Sequence, residues 1–321
     1  MQRRTLIRSA ALAAVSSSLG APALAQQSDV VRLIVPYAPG GGSDRAARLV
    51  GDKLGAQLGQ TVLVENKPGA GGRLAAQQLR GASADTQSLL LANPAIMVVA
   101  PLVFKNSGYD PMRDFQPVSS ASSYEFVVAV GAAVPVKALS HLLAWLKANP
   151  ASANFGVPAT GSLPHFFGLM VGEKADVKAQ VVGYRGSGPL MTDLIGGQVP
   201  VAFDTMDAVL PHAEGGRVRI LASSGAKRSI FSPQIPTFRE AGLDLVASGW
   251  NCFFAPAAMP AATVTRLSGA IEKVMRDADT QRRFVDAKLT PVASNAAQTA
   301  AMIKAFRAQW APVVQRSGYQ P

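Results

Sequence analysis

Cysteine is almost absent from the chain, and histidine is scarce. Cys252 is the only thiol, so no disulfide can form within the chain. The histidines, His141, His165 and His212, lie far apart and form neither an H-x-x-x-H nor an H-E-x-x-H pattern. We therefore expect no disulfide framework and no metal site.

The usual motifs of nucleotide-binding and hydrolytic enzymes are also missing. No G-x-x-x-x-G-K-[ST] and no complete G-x-G-x-x-G occurs, although residues 39–44 read PGGGSD after an apolar run. Asp44, which follows the glycines, would repel a triphosphate. Neither ATGSLP nor RGSGPL supplies the G-x-S-x-G of a serine hydrolase. We therefore expect no cofactor and no catalytic residue; an exported hydrolase that uses Ser162 or Ser187 is kept as an alternative.

Acidic residues are outnumbered by basic ones. The chain has 20 Asp and Glu against 31 Lys and Arg, a formal net charge of +11. The basic residues are scattered, and few aromatic residues accompany them, which is not the pattern of a nucleic-acid-binding surface. We expect no nucleic-acid partner, and the positive balance is compatible with small anionic ligands.

Long hydrophobic runs are confined to the amino terminus. Arg3, Arg4 and Arg8 precede an apolar stretch that ends in Ala23-Leu24-Ala25, the arrangement of a signal peptide with an A-x-A cleavage site. The paired arginines resemble a twin-arginine signal, and ordinary secretion stays open as well. After residue 25 no run reaches the roughly 18 apolar residues of a membrane-spanning helix. We predict a signal peptide over residues 1–25 and a mature protein in the periplasm.

What the chain does contain is a regular alternation of short apolar runs and helical patterns. VRLIVPY, TVLVENK and SLLLANP are each followed by a helical pattern, and FVVAVGA, ANFGVP, AQVVGY and VAFDT repeat the order later. This alternation predicts an α/β fold with mainly parallel sheets flanked by helices. The chain is long enough for two such domains.

The last two helical patterns, TVTRLSGAIEKVMRD and TAAMIKAFRAQWAPVVQR, have no new sheet to cover. We expect them to pack on the first domain, so that the chain crosses between domains near Tyr124–Val130 and again near Ala247–Phe254. Two crossings would form a hinge. The prediction is a discontinuous first domain of residues 26–126 and 248–321, and a second domain of residues 127–247.

Three strand-to-helix junctions share one order: an apolar run, a glycine turn, a capping residue and a helix. They read IVPYAPGGGSD, FGVPATGSLPH and VVGYRGSGP. Each junction presents unpaired backbone N–H groups and the positive end of a helix dipole, which together suit an anion. If the junctions face each other across a crevice between the domains, a small carboxylate fits there.

The candidate ligand-binding residues lie in and beside these junctions. They are Tyr37, Pro39, Gly40, Gly41, Gly42, Ser43 and Asp44 in the first, Thr160, Gly161, Ser162 and His165 in the second, Tyr184, Arg185, Gly186 and Ser187 in the third, and Asp204 after a later strand. Asp204 could receive an amine or hydroxyl of the ligand. Each loop alone also has a simpler interpretation, because glycine-rich turns are common in α/β proteins and most bind nothing. Ser162 and His165, likewise, are explained simply as a helix cap and a first-turn residue.

Over nearly all of its length after residue 25, the chain resembles a known receptor family. The similarity is to the extracytoplasmic solute-binding receptors of tripartite tricarboxylate transporters, the Bug (Bordetella uptake gene) family. It is carried, in this order, by VPYAPGGGSDRAAR, ENKPGAGG, RDFQPV, LKANP, FGVPATGSLPH, VGYRGSGPLMTDLIGGQV, IPTFREAG and FFAPAAMP.

The resemblance implies a two-domain periplasmic binding protein, a Venus flytrap of type II-like architecture, without enzymatic activity. It implies a monomeric receptor that closes on a small carboxylated metabolite and delivers it to membrane permease subunits. In such receptors backbone groups and bridging waters of facing loops hold one carboxylate, here residues 39–44, 160–162 with His165, and 184–187. Asp204 lies where the family often has a specificity contact. A sensory receptor for the same ligand is the alternative.

Two stretches depart from the family pattern. Residues 182–186 read VGYRG where the family usually has valine-proline-tyrosine-lysine or arginine-glycine, which could re-aim the third loop. Residues 157–159 read VPA and are bulkier than the small residues common there, which could narrow the pocket. The sequence therefore predicts a carboxylate receptor without naming the carboxylate.

Overall fold

The computed structural model describes residues 30–321 as two α/β units, each built on one sheet. The predicted signal peptide lies outside the described residues. The strands are β1 (Val30–Val35), β2 (Thr61–Asn66), β3 (Gln87–Ala92), β4 (Phe115–Tyr124), β5 (Phe126–Gly131), β6 (Asn154–Val157), β7 (Gln180–Gly183), β8 (Val201–Thr205), β9 (Val218–Ser223), β10 (Gly249–Pro256) and β11 (Thr290–Pro291). The helices are α1 (Gly42–Leu58), α2 (Arg73–Arg80), α3 (Ala100–Val103), α4 (Leu139–Ala148), α5 (Leu163–Ala175), α6 (Ser187–Ile195), α7 (Met206–Glu214), α8 (Ala261–Arg276), α9 (Ala278–Asp286) and α10 (Ala296–Arg316).

The first sheet has six strands in the order β11–β4–β10–β3–β1–β2. Helix α1 packs on it because its apolar residues recur three or four positions apart. Ala46, Ala47, Val50 and Leu54 are all fully buried. The helix ends at Gly59, whose left-handed conformation (φ +65°) lets its N–H bond back to the carbonyl of Gly55.

The second sheet has five strands in the order β7–β6–β8–β5–β9. Its strands come from residues 126–223, whereas those of the first sheet come from residues 30–124 and 249–291. Aromatic side chains fill the space beneath it. The rings of Phe155 and Phe203 lie 4.8 Å apart, and those of Phe126 and Phe167 lie 5.5 Å apart.

The two-domain α/β fold is confirmed, but both sheets are mixed rather than mainly parallel. β1 pairs parallel with β2 and β3, and β6 with β7 and β8. By contrast, β10 runs antiparallel to β3 and β4, and β5 to β8 and β9. The reason is that the chain crosses between the units twice. β5 and β10 are each the first strand after a crossing, so each starts at the edge of the sheet where its neighbouring strands end and runs antiparallel to them.

The last helices pack on the first sheet, and α10 also touches the second unit. Helix α8 contacts α1 and β4, while α10 contacts β4 and reaches α5. α10 begins at a capping box formed by Asn295 and Gln298. Its Trp310 is fully buried, stacked on Phe306 at 5.4 Å and edge-on to Phe126 of β5 at 6.0 Å.

In the described part of the chain, no helix is both long and apolar enough to cross a membrane.

The two crossings between the units lie side by side. β4 continues into β5 through Glu125 alone. The Ser224 hydroxyl accepts from the Phe126 N–H at 2.8 Å and donates to the Ala247 carbonyl at 2.6 Å, which ties the outgoing crossing to the returning one. Gly249 lies against the ring of Tyr124, and a Cβ there would be 2.1 Å from ring carbons, so this position requires glycine. Short paired crossings of this kind are typical of a hinge.

Candidate functional site

A cavity of about 610 Å³ lies between the two units, at the edge where β1–β4 and β6–β9 end. Its walls come from both units, and its volume falls in the range of small-molecule sites. Of the sequence-predicted residues, the structure places these in its lining: Tyr37, Gly42, Ser43, Thr160, Gly161, Ser162, Arg185, Gly186, Ser187 and Asp204. It places the following outside the lining: Pro39, Gly40, Gly41, Asp44, His165 and Tyr184.

The first junction offers hydrogen-bond donors to the cavity. α1 begins at Gly42, and the first turn of a helix leaves its N–H groups without intrahelical partners. The hydroxyl oxygen of Tyr37 accepts from Asn93 Nδ2 at 2.8 Å, which leaves the hydroxyl proton free to donate. Burial raises the pKa of Tyr37 to about 12, so the proton is retained at neutral pH.

A short chain of polar side chains continues this donor surface along the first unit. Ser43 Oγ donates to Asn251 Oδ1 at 3.0 Å, and Asn251 Nδ2 donates to Ser122 Oγ at 3.0 Å. The Ser122 hydroxyl therefore accepts one bond and keeps its own proton for another acceptor. Both Ser122 and Asn251 line the cavity, and the sequence analysis did not identify either.

Asp44 does not line the cavity and instead holds the first loop in place through hydrogen bonds. Its carboxylate accepts from the Gly40 N–H at 2.9 Å, from Asn66 Nδ2 at 2.9 Å and from Arg48. Burial raises the pKa of Asp44, but the hydrogen bonds from Arg48, Gly40 and Asn66 outweigh it and hold the pKa below its usual range. The Gly40 N–H is engaged in this network, and of this loop only Gly42 and Ser43 line the cavity.

We expect Asp44→Asn to weaken ligand binding less than tenfold and to lower the free energy of unfolding by about 1–2 kcal/mol. Asparagine keeps one acceptor for Gly40 but loses the charge that pairs with Arg48. Calorimetry and urea unfolding measure the two effects. The matched control is Asp52→Asn on the same helix, an exposed acid paired with Arg283, which should change neither. Complete loss of binding with unchanged stability would instead place Asp44 in direct contact with ligand.

The second junction is fixed by internal hydrogen bonds. The Gly161 N–H, in a residue with φ +76°, donates to His165 Nδ1 at 2.9 Å. Burial lowers the pKa of His165, so this ring nitrogen is an unprotonated acceptor at neutral pH. Ser162 Oγ accepts from the His165 N–H at 3.3 Å and donates to the Ala159 carbonyl at 2.7 Å. The serine hydroxyl thus bonds to backbone and not to the imidazole, which is not the nucleophile–base geometry of a serine hydrolase.

The third junction packs directly on the second. The N–H groups of Tyr184 and Gly186 donate to the carbonyls of Val157 and Pro158 at 2.9 and 2.8 Å. A Cβ on Gly183 would lie 2.5 Å from the Thr160 methyl carbon. Glycine at this position, where the resembled family usually has proline, therefore leaves room for the Thr160 side chain. The Tyr184 hydroxyl donates to Asp193 Oδ2 at 2.9 Å and does not line the cavity.

Two carboxyl groups with perturbed acidity line the cavity where the units meet. Asp204 is 1% exposed, and burial raises its pKa to about 7, with Asp207 adding to the rise. Glu125, the single residue between β4 and β5, also has its pKa raised to about 7 by burial. Perturbed acids in a cleft are typical of functional sites.

Several lining residues come from parts of the chain that the sequence analysis did not connect with the site. Two of them carry a positive charge over an aromatic ring. The Arg73 guanidinium lies 3.5 Å from the centroid of Phe104, and Lys288 Nζ lies 5.9 Å from that of Phe231. Tyr319 reaches the second junction from the end of the chain and packs edge-on against His165 at 5.4 Å. Glu125 is the one charged residue of the run YEFVV, which lies at a predicted crossing. This was the one local signal that could have identified it.

Among residues 30–321, no group of three or more His, Cys, Asp or Glu side chains is placed to hold a metal ion. The polar groups of the cavity are instead hydroxyls, amides, a helix amino terminus, carboxyls and the cationic side chains of Arg73, Arg185 and Lys288. Such a lining suits an organic ligand that has both acceptor and donor groups.

Comparison with known proteins gives a consistent match. Residues 46–319 match the family model TctC, described as the tripartite tricarboxylate transporter family receptor. A UPF0065 protein of Bordetella bronchiseptica is 34% identical over 319 residues, covering 98% of this chain and 95% of that protein. Rpa4515 of R. palustris, in a structure with adipate, superposes with a TM-score of 0.81 at 28% identity, covering 91% of this chain and 98% of that one. The periplasmic binding protein BugD superposes with a TM-score of 0.76 at 28% identity, with the same two coverages.

Proposed function

The chain belongs to the tripartite tricarboxylate transporter receptor family, and on that premise we propose that it captures a small carboxylate between its two domains and delivers it to a membrane permease. The receptor works as a monomer in the periplasm after removal of residues 1–25. The domains are residues 26–126 with 248–321, and residues 127–247. The observation that carries the proposal is the donor surface at the start of α1, which faces a cavity of ligand size.

In this proposal the ligand carboxylate binds where donors are available. The N–H groups of Gly42 and Ser43, the α1 dipole and the Tyr37 hydroxyl converge on one side of the cavity. Helix α6 of the second domain begins at Ser187, which also lines the cavity, and its first turn has N–H groups without intrahelical partners. The amides of Gly40 and Gly161 are engaged within their own loops and act by shaping the site.

Binding favours closure because the ligand contacts both domains only when they approach. Gly42 of the first domain already lies near Asp207 of the second, since a Cβ on Gly42 would be 3.8 Å from Asp207 Oδ2. A carboxylate held between the starts of α1 and α6 loses its water and gains N–H donors from both domains. This difference in contacts between open and closed forms supplies the free energy of closure.

A ligand carried through gentle purification is expected to be a small carboxylate, identified by native mass spectrometry. After unfolding and refolding to remove it, calorimetry should give one site per chain, and X-ray scattering should show a smaller radius of gyration on ligand addition. Failure of every member of a broad panel of mono-, di- and tricarboxylates to bind or compact the ligand-free protein contradicts the proposal.

A sensory receptor for the same ligand would have the same cavity. The two functions differ in the partner that recognises the closed form. Permease subunits encoded beside this chain, and ligand uptake that depends on both, favour transport. Uptake that continues without this chain, together with loss of a ligand-induced transcriptional response, favours sensing.

A further inference from the structure

The carboxy-terminal segment of residues 317–321 reaches from the first unit to the second. Helix α10 packs on the first sheet and ends at Arg316, and the chain then turns at Gly318, whose φ of +63° favours glycine. The Ser317 hydroxyl donates to the Val314 carbonyl at 2.6 Å and accepts from the Tyr319 N–H at 3.2 Å. The segment is therefore a hydrogen-bonded turn that places Tyr319 against the second unit.

The Tyr319 ring lies against the second junction. It packs edge-on against His165 at 5.4 Å and against Phe166 at 6.0 Å. It also touches the backbone of the junction, since a Cβ on Gly161 would lie 2.8 Å from a carbon of the ring. The Tyr319 hydroxyl reaches Thr160 Oγ1 at 3.4 Å, which is long for an O–H···O bond. The contact therefore depends on the ring rather than on the hydroxyl.

Through His165, this contact restrains the conformation of the junction. The imidazole is stacked on Phe166 at 4.9 Å and contacts Tyr319, while its Nδ1 accepts from the Gly161 N–H at 2.9 Å. That hydrogen bond fixes the turn whose residues 160–162 line the cavity, and Tyr319 lines the same cavity. Side chains that are locked by packing hold a binding loop more precisely. A residue of the first domain thus supports a junction of the second.

An ion pair also links the end of α10 to α5, but it is exposed. Arg316 Nη2 lies 3.7 Å from Glu173 Oε2, and both side chains are more than half exposed to solvent. Exposed pairs of this kind stabilise a protein little. The Tyr319 ring is therefore the stronger link, and the ion pair offers a matched control.

We infer that Tyr319 is a positioning residue for ligand binding: from the first domain, it holds the second junction in the conformation that receives the ligand. This inference rests on the proposed carboxylate function. Because Tyr319 and the junction belong to different domains, the junction has this support only when the domains are close together. Domain closure and ligand binding are therefore coupled through the carboxy-terminal segment as well as through the ligand itself.

The test begins without ligand, with an NMR titration of the three histidines of the protein. Burial lowers the pKa of His165 below its ordinary value of 6.5. Tyr319→Ala exposes the imidazole to water, so the pKa of His165 is expected to rise toward its ordinary value. Tyr319→Phe keeps the ring and should leave that pKa as in the wild type. The matched control Glu173→Gln removes the ion pair with Arg316 and should also leave it unchanged.

Calorimetry then measures ligand binding with whichever of acetate, succinate, malate, glutarate, adipate and citrate the wild type binds most tightly. We expect Tyr319→Ala to weaken this binding about three- to tenfold, the range that corresponds to the loss of an aromatic pair contact. Tyr319→Phe and Glu173→Gln should bind as the wild type does. Rescue by phenylalanine distinguishes positioning by the ring from a contact between the hydroxyl and the ligand.

An unchanged pKa of His165 in Tyr319→Ala overturns the inference. Unchanged affinity of that variant does so as well, and so does an equal loss of affinity in Tyr319→Phe or Glu173→Gln. If none of the six compounds binds the wild type, the proposed function fails, and the His165 titration still decides whether Tyr319 holds the junction. Equal binding by the wild type and Tyr319→Ala refutes only the positioning role.

Discussion

Gly42→Asp is expected to weaken carboxylate binding by about 100-fold or more. The substitution places a negative charge at the first residue of α1, where the proposal puts the ligand carboxylate. Two like charges about 4 Å apart repel by about 4 kcal/mol at the effective dielectric of a protein surface, which corresponds to a loss of this size. The new carboxylate would also approach Asp207 of the second domain, which opposes closure.

The same position provides its own controls. A Cβ on Gly42 would lie 3.5 Å from Leu289 Cδ2 and 3.8 Å from Asp207 Oδ2, which are ordinary contact distances. Gly42→Ala should therefore bind within about threefold of the wild type, and Gly42→Asn separates the size of aspartate from its charge. An acid in the first turn suits the helix dipole, so the aspartate variant should fold at least as stably. Calorimetry with the identified ligand measures all three. Retained affinity in Gly42→Asp would move the carboxylate away from α1.

The junctions were predictable because their signals are local. An apolar run, a glycine turn and a cap followed by a helix specify a strand-to-helix turn with little help from the rest of the chain. The structure has such a turn at each of the three, before α1, α5 and α6. Ser43, Ser162 and Ser187, which line the cavity, lie at or next to the helix starts, whereas Tyr37 lines it from just after the end of β1.

The partners of the loop amides could not be predicted in the same way. Whether the Gly40 N–H faces a ligand or Asp44 depends on a side-chain rotamer and on Asn66, which arrives from β2. His165 likewise occupies the Gly161 N–H from inside its own helix. A sequence pattern shows which amides a turn exposes, but the tertiary structure decides which of them are already bonded.

Residues brought to the site from distant segments carry no local signal. Asn251 enters with the strand that returns from the second domain, and Tyr319 with the end of the chain. The direction of that returning strand also made the sheets mixed, because a strand that starts at the crossing edge opposes those that end there. The sequence analysis predicted the two crossings, but the local alternation of strands and helices does not show that the strands starting at them run antiparallel to their neighbours.

Asp204→Asn is expected to raise the stability of the ligand-free protein at pH 8 by roughly 1–3 kcal/mol and to change it little at pH 4. The pKa of Asp204 rises from its ordinary value of 3.8 to about 7 in the folded state, mainly through burial. Because the folded state holds this proton more tightly, its stabilising effect is present below pH 4 and is lost as the pH rises toward 7. Asparagine has no such titration. The variant should therefore lose less stability than the wild type between pH 4 and pH 8.

Urea unfolding at pH 4, 6 and 8 measures this difference, with Asp244→Asn as the exposed control that should leave the pH profile unchanged. Equal destabilisation by Asp204→Asn at every pH would mean that Asp204 is satisfied inside the protein and has only a structural role. A saturating amount of a ligand that donates a hydrogen bond to Asp204 should reverse the ranking at pH 8, because the bond to the charged carboxylate of the wild type is stronger than a bond to asparagine. A residue that destabilises the empty receptor and stabilises the filled one is a residue retained for binding.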